Sequence, residues 1–69
     1  MVANYSISKV NNELQLSLNG EVIAKGVDEI RWTMAKRLAK TLNIMFNDNM
    51  INDNGNWKII KEFRIVVMS

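Results

Sequence analysis

Val27-Asp28-Glu29-Ile30-Arg31-Trp32-Thr33-Met34-Ala35-Lys36-Arg37-Leu38-Ala39-Lys40-Thr41-Leu42-Asn43-Ile44-Met45-Phe46 is the stretch that decides the fold. At about 100° per residue, Val27, Ile30, Met34, Leu38, Leu42 and Met45 form one apolar stripe. Ala35, Ala39 and Phe46 widen it on one side, while Glu29, Thr33, Lys36, Arg37 and Lys40 fall opposite. Asp28 and Glu29 sit in the first turn, where negative charge suits the exposed N–H groups and the positive end of the dipole. Gly26 is placed as N-cap, with Glu29 three residues into the helix. Asn47 is placed as the stop, because Asn tolerates the left-handed conformation. The pattern predicts one long helix from Val27 to Phe46.

Upstream, Tyr5 to Lys25 reads as three antiparallel strands. Asn19-Gly20 between alternating apolar residues is a strong hairpin signal, since both residues tolerate the positive φ of a type I′ turn. Asn11-Asn12 gives the same signal more weakly. Treated as two-residue loops, the turns pair Val10 with Glu13, Ile7 with Leu16 and Tyr5 with Leu18. Across the second turn they pair Leu18 with Glu21, Leu16 with Ile23 and Leu14 with Lys25. Alternation then places Tyr5, Ile7, Leu14, Leu16, Leu18 and Ile23 on a core face. The wet face holds Ser6, Ser8, Gln15, Ser17 and Ala24, with Val10 and Val22.

Downstream, Asn54-Gly55 predicts a hairpin with a short arm at Met50 to Asn52 and a long arm from Trp57 to Met68. One face of the long arm carries Trp57, Ile59, Phe63, Ile65 and Val67, interrupted by Lys61. That places Trp57 in the core and suggests a bulge near Ile60 to Glu62; the alternative is a break into two strands there, for which Lys-Glu is a poor turn. The other face carries Arg64, Val66 and Met68 among others. The last strand is expected beside the first. The chain is therefore read as α+β: a three-stranded antiparallel meander, one long helix, then a C-terminal hairpin (β-β-β-α-β-β), the helix packed on one sheet face.

The 69 residues make a single small domain with a formal net charge of +2. A chain this short buries only about 60% of the surface its unfolded form exposes. Disulfides, metals or oligomerisation usually compensate. There is no Cys and no His, which removes disulfides and most zinc chemistry and raises the weight of a homo-oligomer. A cytoplasmic setting fits the missing Cys. No signal peptide is visible, and no apolar run approaches the about 18 residues of a membrane span.

The function classes narrow the same way. Without His, Cys or a G-x-S-x-G motif, nucleophilic catalysis lacks its usual parts. The seven carboxylates sit mostly at strand ends, in the first helical turn or in loops. No enzyme, cofactor or metal is expected. The Asn47 to Asn56 stretch has the content of a calcium loop, but aligning Gly55 with the turn glycine puts Met50 and Lys61 at the two positions that should be acidic.

Two kinds of surface remain. Trp32 leaves the helix on a different side from Met34 and shares that flank with Ala35, Ala39 and Asn43. A smooth flank topped by an aromatic suits contact with a protein; the other reading folds Trp32 over a sheet edge as extra core. Val66 and Met68 on the last strand form a second candidate contact. Arg31, Lys36, Arg37 and Lys40 form a basic stripe able to touch nucleic-acid phosphates. The meander's open face, with Ser and Gln but no Arg or paired aromatics, is not built for base stacking. The reading that results is a small non-enzymatic protein-binding module, an inhibitor or regulator of a larger host protein of the kind phages and mobile elements encode. The alternative is a nucleic-acid-binding protein using the helix stripe.

Overall fold

A computed structural model describes residues 2–37 and 40–68. The elements in chain order are β1 (Val2–Val10), β2 (Glu13–Leu18), β3 (Glu21–Lys25), α1 (Val27–Lys36), α2 (Lys40–Asp48), β4 (Met50–Asp53), β5 (Asn56–Ile59) and β6 (Phe63–Met68). The class is α+β. Four strands form one antiparallel sheet in the order β3-β2-β1-β6, and β4 and β5 pair separately.

The turns explain the meander. Asn11, Asn12 and Asn19 adopt φ of 52, 65 and 51°, and Gly20 follows at 85°. These are the left-handed values that a right-twisted hairpin needs. The β1–β2 register runs Tyr5 to Leu18, Ile7 to Leu16 and Val10 to Glu13, as the two-residue loop dictates. Asn19 adds a clasp: its Oδ1 accepts a hydrogen bond from the Asn4 backbone at 2.9 Å.

The second hairpin departs from the expected register. Leu18 faces Glu21, but Leu16 faces Ala24 and Gln15 faces Lys25, with a shift between Leu16 and Ser17. Ile23 is the extra residue of a bulge. Ala24 turns inward and is buried, whereas Ile23 is only partly buried against the core. Strict alternation fails here because Val22-Ile23-Ala24 offers three apolar residues in a row, and the smallest of them takes the inward place.

The single long helix is replaced by two short ones. α1 ends at Lys36, with Arg37 as its C-cap at φ −86° and ψ −1°. α2 begins at Lys40; Leu38 and Ala39 lie outside the described residues. The reason is angular. On one straight helix Ile30 and Phe46 would point roughly 160° apart. In two segments, Ile30 and Met34 of α1 and Leu42 and Phe46 of α2 are all essentially fully buried. They share one cluster with Tyr5, Ile7, Leu14, Leu16, Ala24 and Met50. Each i, i+4 pair meets the same core, at the cost of helix continuity.

Gly26 opens α1 at φ 83° and ψ 155°, a backbone region essentially reserved for glycine. Its N–H donates to the Leu14 carbonyl at 2.8 Å and its carbonyl accepts from Ile30 at 3.0 Å. It thus joins sheet pairing to the first helical turn. α2 runs two residues beyond Phe46, and its closing group is Asn49, not Asn47. The Asn49 side-chain amide donates to the Met45 carbonyl at 2.8 Å.

The C-terminal arm also divides. β5 pairs with β4, Trp57 facing Asn52. β6 pairs with β1 in a continuous register from Val2–Met68 to Ile7–Phe63. Residues 60–62 bridge them. Glu62 Oε1 accepts from the Lys9 backbone at 2.8 Å, and the Ile60 N–H donates to the Asn49 carbonyl at 2.7 Å. One continuous strand could not serve two separate sheets, and Ile60-Lys61-Glu62 makes the crossing.

Candidate protein-binding surface

Trp32 stands on α1 two residues before Met34, so it leaves the helix well away from the buried side. It is 63% exposed, the most exposed aromatic among the described residues. The reading that folds it over a sheet edge as extra core is therefore excluded. Its ring is covered on one side by Lys36, four residues on, whose Nζ lies 4.2 Å from the ring centroid. That i, i+4 spacing brings neighbours on a helix surface together, and an exposed cation–π contact contributes about 0.5–1 kcal/mol. The indole is thus held in place while remaining open to solvent.

Beside it lies a groove of about 380 Å³ lined by Ile23, Trp32, Thr33, Lys36 and Arg37. Two cations and no carboxylate border it. Ile23 reaches this place because of the β3 bulge; in the unbulged register it would point into the core. Sequence reasoning missed it, although the unbroken Val22-Ile23-Ala24 run was a bulge signal.

The other expected contact residues distribute unevenly. Ala35 is exposed on α1, and Asn43 is half-buried on α2. Ala39 lies outside the described residues. Val66 is 53% exposed on the sheet face opposite the core, because it pairs with Asn4 and not with the inward Tyr5 or Ile7. The side chain of Met68 lies outside the described residues. Trp32 and Val66 therefore belong to two different surfaces.

The basic stripe is likewise divided. Arg31 turns toward the C-terminal hairpin, its guanidinium carbon 5.2 Å from the Trp57 ring centroid. Lys36 and Arg37 border the Trp32 groove, and Lys40 is exposed in the first turn of α2. Trp57 itself, expected in the core, is 43% exposed. The cause is the division of the last arm: β5 belongs to the small sheet, so its apolar side is not presented to the core of the large one. A second groove, also about 380 Å³, runs past Trp57 between Lys9, Glu13, Val27 and Lys58. Its charges are mixed, and Lys58 is already paired with Asp53 at 3.1 Å. The outward face of the large sheet gains one cation that the meander alone lacks, Arg64 opposite Ser6.

Among the described residues no three carboxylates come together as a metal cluster, and no helix is long and apolar enough to cross a membrane. The Asn47 to Asn56 stretch is occupied by the end of α2 and the β4–β5 hairpin, with Asn54 and Gly55 at positive φ and Asn52 Oδ1 accepting from Gly55 at 2.8 Å. Its Asn and Asp residues work as turn formers. No family model, curated protein or solved structure matches this chain.

Proposed function

We propose that this chain is a small non-enzymatic protein-binding module that presents Trp32 to a larger protein, acting as its inhibitor or regulator. The supporting observation is the exposed indole, covered on one side by Lys36 and lining a groove together with Ile23. Exposed tryptophan is costly in solvent and is the residue type most enriched among interface hot spots. A partner with an apolar side chain for the groove and a carboxylate for Lys36 and Arg37 fits this surface. Trp32→Ala should weaken partner binding by about 2–4 kcal/mol while leaving circular dichroism unchanged. Equal affinity of the variant and the parent would end this assignment.

A second reading rests on the same groove. An aromatic ring flanked by Lys36 and Arg37 also suits a base stacked beside phosphates, as on single-stranded nucleic acid. It requires affinity that falls steeply with salt and is removed by changing Lys36, Arg37 and Lys40 together to Gln. The protein reading is preferred because Arg31 is drawn away to Trp57, which shortens the run of cations available to a backbone. No shift of labelled single-stranded DNA or RNA at low salt would dispose of the second reading.

A further inference from the structure

The two edges of the large sheet are built differently. β3 is five residues long, carries charge at both ends in Glu21 and Lys25, contains the Ile23 bulge and has α1 alongside. Short length, charge and a bulge are the devices by which edge strands avoid pairing with another chain. β6 has no bulge and no charge at either end. It pairs with β1 in unbroken register, its one charge is Arg64, and it contains Ile65-Val66-Val67 without proline. Among the described residues β1 is the only element that runs along it. Its other row of backbone N–H and C=O groups therefore faces outward with no strand beside it among the described residues.

We propose that β6 pairs antiparallel with β6 of a second copy, joining two sheets into one of eight strands about a two-fold axis at Ile65. An edge strand is self-complementary in this arrangement, and the pairing closes at two copies. The protected β3 edges end up on the outside. Preserving the core side and the open side in both copies requires opposed residue numbers to have an even sum. With the axis at Ile65, Phe63 meets Val67 of the second copy, an aromatic against a β-branched residue, which is a favourable cross-strand pair. Arg64 meets Val66, so no like charges oppose each other. Phe63, Ile65 and Val67 are only partly buried in one copy, and the second copy extends the apolar strip to which they belong. This pairing leaves the Trp32 groove untouched and does not depend on the function proposed above.

Because the chain has no Cys, single-cysteine variants report on this contact without background. Opposed Cα atoms of an antiparallel pair are about 4.5–5.5 Å apart, within the range a disulfide spans. Ile65→Cys should therefore give a disulfide-linked dimer under mild oxidation. Val22→Cys, on the protected edge, should not. Sedimentation of the parent chain should show twice the monomer mass. Val66→Lys, which sets a second cation opposite Arg64 at both ends of the contact, should raise the dimer dissociation constant at least tenfold, and Val66→Glu should lower it. A parent chain that stays monomeric at millimolar concentration overturns the proposal. So does a dimer that is indifferent to both Val66 variants and not crosslinked through Ile65→Cys, since it would then use another face.

Discussion

Phe46 and Trp32 are two large side chains at opposite extremes of burial. Phe46 is fully buried in the core cluster that holds Ile30, Met34 and Leu42 of the helices with Tyr5, Ile7, Leu14 and Leu16 of the strands. Phe46→Ala should cost about 3–5 kcal/mol, a large part of the 5–15 kcal/mol that holds a typical domain folded. Denaturant unfolding followed by circular dichroism measures it. Trp32→Ala removes a side chain that is largely exposed and should shift the same midpoint by no more than about 0.5 kcal/mol. Gly26 is the sharpest backbone case. No atom crowds its missing Cβ, so the cost of Gly26→Ala is conformational alone, about 1–3 kcal/mol for a side chain forced into that region. A cost near zero would show that the junction between β3 and α1 rearranges freely. Both indoles are also open to solvent, so the intrinsic fluorescence of the folded protein should resemble tryptophan in water and shift little on unfolding. A marked red shift on unfolding would contradict the exposed places given to Trp32 and Trp57.

Element by element, legibility in the sequence follows how local the deciding interaction is. The β1–β2 register is set by two asparagines at positive φ and could be written down from Asn11-Asn12 alone. The same is true of the Asn54-Gly55 hairpin. The last strand does lie beside the first, as expected, but no local signal fixes that place. The helix break is different. Every residue from Val27 to Phe46 is compatible with one helix, and its helical periodicity is real. What divides it is that the core demands Ile30 and Phe46 on the same side, a tertiary requirement that no local pattern carries. The bulge at Ile23 and the division of Trp57 from Phe63 have the same origin. They moved Ile23 to the Trp32 groove and Trp57 out of the core. That is why Trp32 could be singled out on its helix flank from sequence, while Ile23 beside it and the Arg31–Trp57 contact could not. Asn19→Ala tests the turn logic directly. It forces alanine into the left-handed region, which costs roughly 1–2 kcal/mol, and removes the hydrogen bond to Asn4. A thermal midpoint equal to the parent's would mean that the turn does not fix the register.

At the scale of the molecule, a short chain with a small core exposes an unusual set of features together: an indole on α1, an apolar edge strand and an uncovered sheet face bearing Ser6, Ser17 and Arg64. Association is one of the ways a chain of this size gains stability, and the two proposed contacts use separate places, the β6 edge for a second copy and the Trp32 groove for another protein. The most direct measurement is a paired capture from bacterial lysate with the parent chain and Trp32→Ala, each with and without nuclease, compared by quantitative mass spectrometry. The account predicts a discrete protein enriched by the parent, retained after nuclease and lost with Trp32→Ala. The same proteins captured by both chains, or material that disappears with nuclease, would contradict it.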